Sequence, residues 1–224
     1  MKVKLVSYSK PSEFQSWDSR IKPPLSCQDL IAFCARVSNP GNQNNSKTAE
    51  KLLRYLAKHK HWSPFEMVSA CVEIETTRDI ARQLLRHRSF SFQEFSQRYA
   101  NPVEDLEFVI REARLQDPKN RQNSIETEDQ KIIEEWENLQ RELIDNASKA
   151  YNWAIENGIA KEQARSVLPE GNTVSRIYMN GTLRSWIHYI QLRESNGTQK
   201  EHMEIANACA TVINKIFPMG KNLV

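Results

Sequence analysis

Hydrophobic and polar residues alternate over residues 67–76, and this pattern predicts a half-buried strand. The apolar members are Val68, Ala70, Val72 and Ile74, and the polar side carries Ser69, Cys71, Glu73 and Glu75. Successive side chains of a strand point to opposite faces, so a period of two gathers the apolar residues on one side. Residues 1–7 alternate in the same way and predict a second, shorter strand.

A helical period of apolar residues predicts most of the remaining structure. The predicted helices are 28–37, 47–60, 78–88, 129–157, a helix around 183–190, and 203–217. The longest one, 129–157, is followed by Gly158, which is typical of a helix end. Between the helices, residues 116–128 are polar and predict a surface excursion.

The polar face of the predicted helix 78–88 carries candidate binding residues. Thr77 is placed to cap this helix. Gln83 and Arg86 are three residues apart, so on a continuous helix they can reach one ligand together. Beyond residue 88 we expect the chain to continue as an irregular segment.

Composition indicates a soluble globular protein formed by one domain, residues 1–224. Of its 224 residues, 39% are hydrophobic and 26% are charged, which is ordinary for a folded domain. No stretch approaches the ~20 apolar residues that span a bilayer, and the N-terminus lacks a signal-peptide pattern. The four cysteines show no CxxC spacing and are expected to be reduced thiols. We therefore expect a cytoplasmic protein with no membrane partner and no metal site.

Residues 86–99 hold the most informative chemistry, a dense basic segment with one carboxylate. Arg86, His87, Arg88 and Arg98 supply the cations, and Glu94 lies among them. Unpaired buried charges are costly, so such a segment is suited to holding an anion, and phosphate is the natural candidate.

Three less specific interpretations of this segment compete with a catalytic one. A basic run is most often a solvated face. Cations with interleaved aromatic residues are also typical of a nucleic-acid-binding surface, although the net charge of +3 is a weak indication. A nucleotide-binding protein without catalysis remains open as well. The interleaved aromatic residues Phe90, Phe92, Phe95 and Tyr99 favour a segment that packs on one side over a solvated face.

The same residues resemble the signature of the flavin-dependent thymidylate synthases. That pattern reads Arg-His-Arg, two residues, Ser, four residues, Ser, one residue, Arg, and its fixed positions are present as Arg86, His87, Arg88, Ser91, Ser96 and Arg98. Further blocks similar to the family follow its order: 35–38, 61–66, 164–169 and 182–193. The resemblance covers roughly residues 1–218. It implies an α+β fold with a central, mostly antiparallel sheet packed against helices.

The resemblance also implies a reaction and its co-substrates. The family makes dTMP from dUMP, takes a methylene group from methylenetetrahydrofolate, and uses FAD that NADPH reduces. Arg193 matches the arginine that lies against the pyrimidine and is the expected catalytic residue. Beside N3 and O2 it would favour deprotonated uracil and stabilise charge that develops as hydride reaches C6. A lysine lacks the planar fork and would replace it poorly.

The remaining site residues are carried over from the family one by one. Substrate contacts are implied for Gln83, Arg86, Glu94, Phe95, Ser96, Gln97, Arg98, Arg165 and Arg193. Contacts to FAD are implied for Ser63, Arg86, His87, Arg88, Glu94, Thr182, Arg184 and His188. Glu66 is left open between a functional role and an ion pair with a neighbouring cation. Residues 194–200 depart from the family pattern, so no contact is carried over to them.

In the family, the nucleotide and FAD lie between subunits of a homotetramer. The resemblance therefore implies that this chain assembles as a homotetramer with shared sites.

Overall fold

The computed structural model describes residues 1–12, 22, 24–195 and 197–218. Its strands are β1 (Lys2–Tyr8), β2 (Ser69–Thr77), β3 (Phe90–Glu94), β4 (Arg114–Gln116), β5 (Ser124–Glu126) and β6 (Val174–Thr182). Four of them form an antiparallel sheet in the order β1-β2-β6-β3, and β4 and β5 form a separate hairpin. The expected α+β fold with a central antiparallel sheet is confirmed.

The helices mostly match the sequence prediction, with shifted ends. They are α1 (Cys27–Ala35), α2 (Ala49–Lys58), α3 (Arg78–Leu84), α4 (Pro102–Asp105), α5 (Gln130–Glu156), α6 (Lys161–Ala164), α7 (Leu183–Arg193) and α8 (Lys200–Ile216). Short 3-10 turns lie at Pro40–Asn42, Ser46–Thr48, Ser63–Met67 and Arg165–Val167. Helix α8 begins three residues before the predicted start at residue 203. Among the described residues, no helix is long and apolar enough to cross a bilayer.

The predicted alternation of β2 is confirmed, and it builds the centre of the core. Val72 and Ile74 are fully buried beside β6, where Ile177 and Met179 are their partners. Helices α7 and α8 cover this face of the sheet, and Trp186 is also fully buried there. The described cysteines are all free thiols, as expected for reduced cysteines.

Strands β3 and β6 are missing from the sequence prediction. The segment beyond 88 is irregular only in part, because Phe90–Glu94 form β3, in which Ser91 and Gln93 are exposed and Phe90 is buried. Residues 95–101 are loop and turn, as expected.

In β6 only Ile177 and Met179 carry large apolar side chains at the alternating buried positions, because the other two are Ser175 and Gly181, and the apolar pattern is therefore short. A Cβ on Gly181 would lie 2.4 Å from the Phe90 ring, so only glycine lets β3 and β6 pair this closely.

Helix α3 is shorter than predicted and ends at Leu84. The backbone N–H of Arg86 donates to the Gln83 carbonyl (3.3 Å), so a turn follows the helix. Arg86 therefore lies beyond the helix, and the prediction that it shares a helical face with Gln83 is wrong. The turn brings Phe90 into the core, where its ring packs against Trp186.

Helix α5 begins and ends where the sequence indicated. Asp129 caps it by accepting hydrogen bonds from the N–H groups of Lys131 and Ile132, and Gly158 follows with φ of 76°. Buried Gln140 ties the helix to the rest of the molecule through Arg111 and Asn172. The apolar side chains of the first half of the helix are exposed, namely Ile132, Trp136, Leu139 and Leu143. Residues 116–128 are a surface segment, which contains β5 and the turn that joins it to β4.

Candidate functional site

Strand β3 separates the two halves of the basic segment 86–99. Arg86, His87 and Arg88 precede the strand, and Ser96 to Arg98 follow it. The strand has five residues, and at about 3.4 Å per residue its ends lie about 14 Å apart. Within one chain, the site residues implied by the resemblance therefore do not form one cluster. They lie in three separate places.

The first place is the Arg193 cluster, which consists of Gln83, His87, Tyr189, Arg193 and His202. The Arg193 Nε–H donates to His87 Nε2 over 3.0 Å. The His87 ring packs edge-on against Tyr189, with ring centroids 4.9 Å apart, and lies 6.0 Å from the His202 ring. Burial, with the positive charges of Arg193 and Arg86, lowers the pKa of His87 to about 4. At neutral pH a neutral imidazole therefore orients the Arg193 guanidinium, which keeps its positive charge.

Gln83 joins this cluster through its side-chain amide. Its Nε2 donates to Gln199 Oε1 over 2.7 Å, and its Oε1 lies 3.1 Å from His202 Nδ1. Arg86 and Arg88 are exposed on the turn between α3 and β3, on either side of His87. The sequence interpretation missed His202 and Gln199. The only available signal was the position of the two residues, three apart, at the start of a helix.

The second place is the α7 N-terminal group, which consists of Ser63, Glu66, Thr182, Arg184 and His188. The Thr182 hydroxyl accepts from the Ser185 N–H and caps α7. Arg184 donates to Glu66 over 2.7 Å, so Glu66 is engaged in an ion pair. The edge of the Trp62 ring meets His188 at 4.8 Å.

Cationic and hydroxyl groups thus concentrate at the start of α7. Burial, followed by the charge of Arg184, lowers the pKa of His188. Ser185 Oγ donates to the Ser89 carbonyl, which ties α7 to the turn that carries Arg88. This group therefore lies beside the start of β3, at the same end of the strand as the Arg193 cluster.

The third place is the Gln97 cluster at the far end of β3, which consists of Arg78, Glu94, Gln97, Arg98 and Arg165. Glu94 accepts from Ser175 Oγ over 2.8 Å and lies 3.6 Å from an Arg78 nitrogen. Arg98 forms an exposed ion pair with Glu162 at 3.2 Å. Phe95 is fixed by its backbone N–H, which donates to the Arg176 carbonyl.

A cavity of about 370 Å³ opens within the Gln97 cluster. Its lining residues are Arg78, Arg82, Gln97, Glu162, Arg165, Ser166, Leu168 and Glu170. Gln97 is 3% exposed, and its Nε2 has no hydrogen-bond partner among the described residues. Three arginines around an unused amide donor fit an anion, although Arg82 pairs with Glu170. Ser96 lies next to the cavity and accepts from the Arg98 N–H.

Comparisons with known proteins identify the family. Residues 25–219 match the family model described as "Thymidylate synthase complementing protein". A probable flavin-dependent thymidylate synthase of Paramecium bursaria Chlorella virus 1 is 50% identical over 218 residues, covering 97% of this chain and 96% of that protein. The flavin-dependent thymidylate synthase of Synechocystis is 47% identical over 218 residues, with the same two coverages.

A solved structure is similar across almost the whole fold. The crystal structure of the UMP/dUMP methylase PolB from Streptomyces cacaoi, bound with 5-Br dUMP, has a TM-score of 0.79 and 26% sequence identity. The similarity covers 99% of this chain and 93% of that chain. The signature, the family model and the close relatives agree, and the chain belongs to the flavin-dependent thymidylate synthase family.

Proposed function

We propose that this protein is a thymidylate synthase that converts dUMP to dTMP with methylenetetrahydrofolate as one-carbon donor. FAD, reduced by NADPH, supplies the hydride when it is bound. Family membership supports the reaction class. The observation that carries the proposal for this chain is the Arg193 guanidinium held by neutral His87, because it provides an oriented cation for the pyrimidine.

Arg193 acts on the pyrimidine in this proposal. A planar guanidinium beside N3 and O2 stabilises negative charge on the ring better than a point charge does. His87 holds the arginine without neutralising it, because burial keeps the imidazole uncharged at neutral pH. Gln83 and Arg86, at the same end of β3, contribute further contacts to the nucleotide.

The Gln97 cluster holds the phosphate of dUMP in this proposal. Arg98 and Arg165 supply charge, the Ser96 hydroxyl and the Gln97 amide supply neutral hydrogen bonds, and Phe95 packs beside them. Glu162 and Glu170 form exposed ion pairs with Arg98 and Arg82. Exposed pairs are weak, so a dianionic phosphate can take over these arginines.

The residues at the start of α7 and β3 fit the binding of FAD. The proposed contacts are Ser63, Arg86, His87, Arg88, Thr182, Arg184 and His188, with Glu94 nearer to the nucleotide. This donor set is rich in cations and hydroxyls, which suits the pyrophosphate of a dinucleotide. The exposed guanidiniums of Arg86 and Arg88 are available for that contact.

Two copies of the chain complete one nucleotide site in this proposal. The Arg193 cluster and the Gln97 cluster lie at opposite ends of β3, about 14 Å apart along the strand. A second copy that brings its Gln97 cluster to the first copy's Arg193 cluster would close the gap. The exposed apolar side chains of α5, such as Trp136 and Leu139, support an assembly that covers them. A homotetramer provides such pairings.

Release of tritium from [5-³H]dUMP tests the proposed reaction directly, because the C5 hydrogen leaves when the one-carbon unit is attached. The assay contains FAD, NADPH and methylenetetrahydrofolate under anaerobic conditions. We expect release by the wild type and by Arg54→Ala, an exposed control arginine that pairs within α2. We expect none above background from Arg193→Ala. Salt-sensitive oligonucleotide binding without flavin or tritium release would instead identify a nucleic-acid-binding protein.

A further inference from the structure

A chain of partly buried hydrogen bonds connects Gln83 to Glu201 on one side and to His202 on the other. Glu201 Oε2 accepts from Gln199 Nε2 over 2.9 Å, and Gln199 Oε1 accepts from Gln83 Nε2 over 2.7 Å. Gln83 Oε1 in turn lies 3.1 Å from His202 Nδ1. Glu201 is anchored at the other end of the chain by Arg111 (3.1 Å) and Arg114. Four side chains from α3, α8 and the residue before α8 are therefore linked in series.

The ionised carboxylate of Glu201 fixes the direction of every bond in this chain. A carboxylate only accepts hydrogen bonds, so Gln199 must turn its NH₂ group toward Glu201 and its carbonyl oxygen toward Gln83. Gln83 must then present its NH₂ group to Gln199 and its carbonyl oxygen to His202. Burial alone raises the pKa of Glu201, but hydrogen bonds and the charges of Arg114 and Arg111 outweigh it and keep the pKa low.

The hydrogen bond to Gln83 also determines the tautomer of His202. This residue is fully buried, and burial, followed by the charge of Arg193 and by the charge that His87 acquires below about pH 4, lowers the pKa of its imidazole to about 3. The ring is therefore neutral and carries one N–H. Because the Gln83 oxygen requires a donor, the proton resides on Nδ1. His202 Nε2 has no hydrogen-bond partner among the described residues.

A free glutamine amide has two orientations that differ by exchange of its oxygen and nitrogen. This hydrogen-bond chain favours one of them, because the other would oppose two carbonyl oxygens at Gln199 and would move the His202 proton from Nδ1 to the buried Nε2, which has no acceptor among the described residues. Gln83 keeps one N–H and one oxygen lone pair for a further ligand, and its side chain is only partly buried. Its unused donor and acceptor are therefore held in a fixed arrangement.

We propose that His202 and Gln199 are positioning residues, which fix the Gln83 amide in the one orientation that binds the nucleotide. The inference rests on the proposed function, since it takes dUMP as the ligand. Neither residue touches the nucleotide in this account. Their entire effect on dUMP affinity is transmitted through Gln83.

A double-mutant cycle on dUMP affinity tests the proposal. Equilibrium dialysis with radiolabelled dUMP is run on flavin-loaded wild type, His202→Leu, Gln83→Leu and the double variant. We expect each single variant to bind dUMP about tenfold more weakly, the loss typical of one buried hydrogen bond. The double variant should bind no more weakly than Gln83→Leu, because without Gln83 nothing remains to be positioned.

Rescue and control variants separate positioning from a general loss of structure. His202→Asn restores a donor near the position of Nδ1 and should bind dUMP within about threefold of wild type. Gln199→Leu should behave like His202→Leu and provides a second route if His202→Leu does not fold. His59→Leu makes the same change at an exposed histidine and should leave the affinity unchanged.

The possible results distinguish a failure of the positioning role from a failure of the proposed function. Unchanged affinity in His202→Leu, or losses that multiply in the double variant, would overturn the positioning role while the wild type still binds dUMP. No binding of dUMP by the flavin-loaded wild type would overturn the proposed function, and the inference with it.

Discussion

The Arg193 cluster and the Gln97 cluster satisfy their arginines in opposite ways. Arg193 is held by a neutral histidine, beside a partly buried network whose hydrogen bonds have fixed directions. At the other end of β3, Arg98 and Arg82 are neutralised by exposed carboxylates, Glu162 and Glu170. The Arg193 cluster can receive a ligand without rearrangement, whereas the Gln97 cluster must exchange its ion pairs when an anion binds.

This difference fits the parts of dUMP that we assign to each cluster. Charge that develops on a pyrimidine during reaction is stabilised best by groups that need no rearrangement. A phosphate is charged from the start and can displace weak, solvent-screened ion pairs. For the two arginines that face the ligand, the contrast therefore predicts a loss mainly of turnover at Arg193 and a loss mainly of binding at Arg98.

The largest expected effect comes from Arg193→Lys. The variant keeps the charge but loses the planar fork and the hydrogen bond to His87, so turnover should fall by about 10² to 10³. Tritium release at saturating dUMP measures it, with Arg54→Lys as the control. Retention of most of the turnover would show that a point charge is sufficient to stabilise the pyrimidine. It would contradict the difference that we propose between the two clusters.

The next effect is on the free energy of unfolding, and it comes from His202, the fully buried histidine of the Arg193 cluster. The unfolded chain binds a proton at residue 202 below pH 6.5, whereas the folded chain does not until about pH 3. The unfolded state thus gains protons first, and the free energy of unfolding falls as the pH drops, by about 3 kcal/mol between pH 6.5 and 4. Urea unfolding at several pH values measures this slope.

The variant His202→Asn isolates that contribution because asparagine does not titrate. It keeps His87 and Glu201, whose lowered pKa values act in the same direction. The slope of unfolding free energy against pH should therefore be shallower in the variant but still positive. Equal slopes in both proteins would show that His202 binds its proton at the same pH in the folded and the unfolded chain, so that folding does not lower its pKa.

A smaller effect is expected from Arg98→Ala in the Gln97 cluster. Loss of one charge-assisted contact to phosphate should raise the KM for dUMP about tenfold and leave turnover at saturation nearly unchanged. Deoxyuridine, which lacks the phosphate, should inhibit the variant and the wild type equally. A fall in turnover with unchanged KM would assign Arg98 to the reaction instead of to binding.

Much of the fold was predictable from the sequence because its elements follow simple periods. Strand β2 alternates regularly, and α5 has an acidic cap and a glycine after its end. Strand β6 was missed because only two of its alternating buried positions, Ile177 and Met179, carry large apolar side chains. The glycine at another of them, Gly181, is required by the Phe90 ring, which is a tertiary contact that no local pattern reveals. The end of α3 was missed for the same kind of reason, since the core position of Phe90 requires the preceding turn.

The candidate site was predictable only where it follows a linear pattern. The signature contains both His87 and Arg98 in one linear pattern, but it gave no indication that a strand separates them. Gln199 lies in the segment 194–200, which departs from the family pattern, and His202 follows that segment. Their importance comes from bonds to Gln83, which lies 116 residues from Gln199 along the chain. Such contacts depend on how α3 and α8 pack.

The central claim is that two copies of the chain complete one nucleotide site, and subunit complementation tests it most directly. Arg98→Glu and Arg193→Ala chains carrying different tags are co-expressed, and hybrids are isolated through both tags. At a dUMP concentration near the wild-type KM, each variant alone should release almost no tritium, because the carboxylate introduced by Arg98→Glu would repel the phosphate and Arg193→Ala removes the cation from the pyrimidine. Random pairing in a symmetric assembly should leave about a quarter of the hybrid sites intact, with matching activity. Hybrids as inactive as either parent would contradict the account, because both arginines would then have to come from one chain.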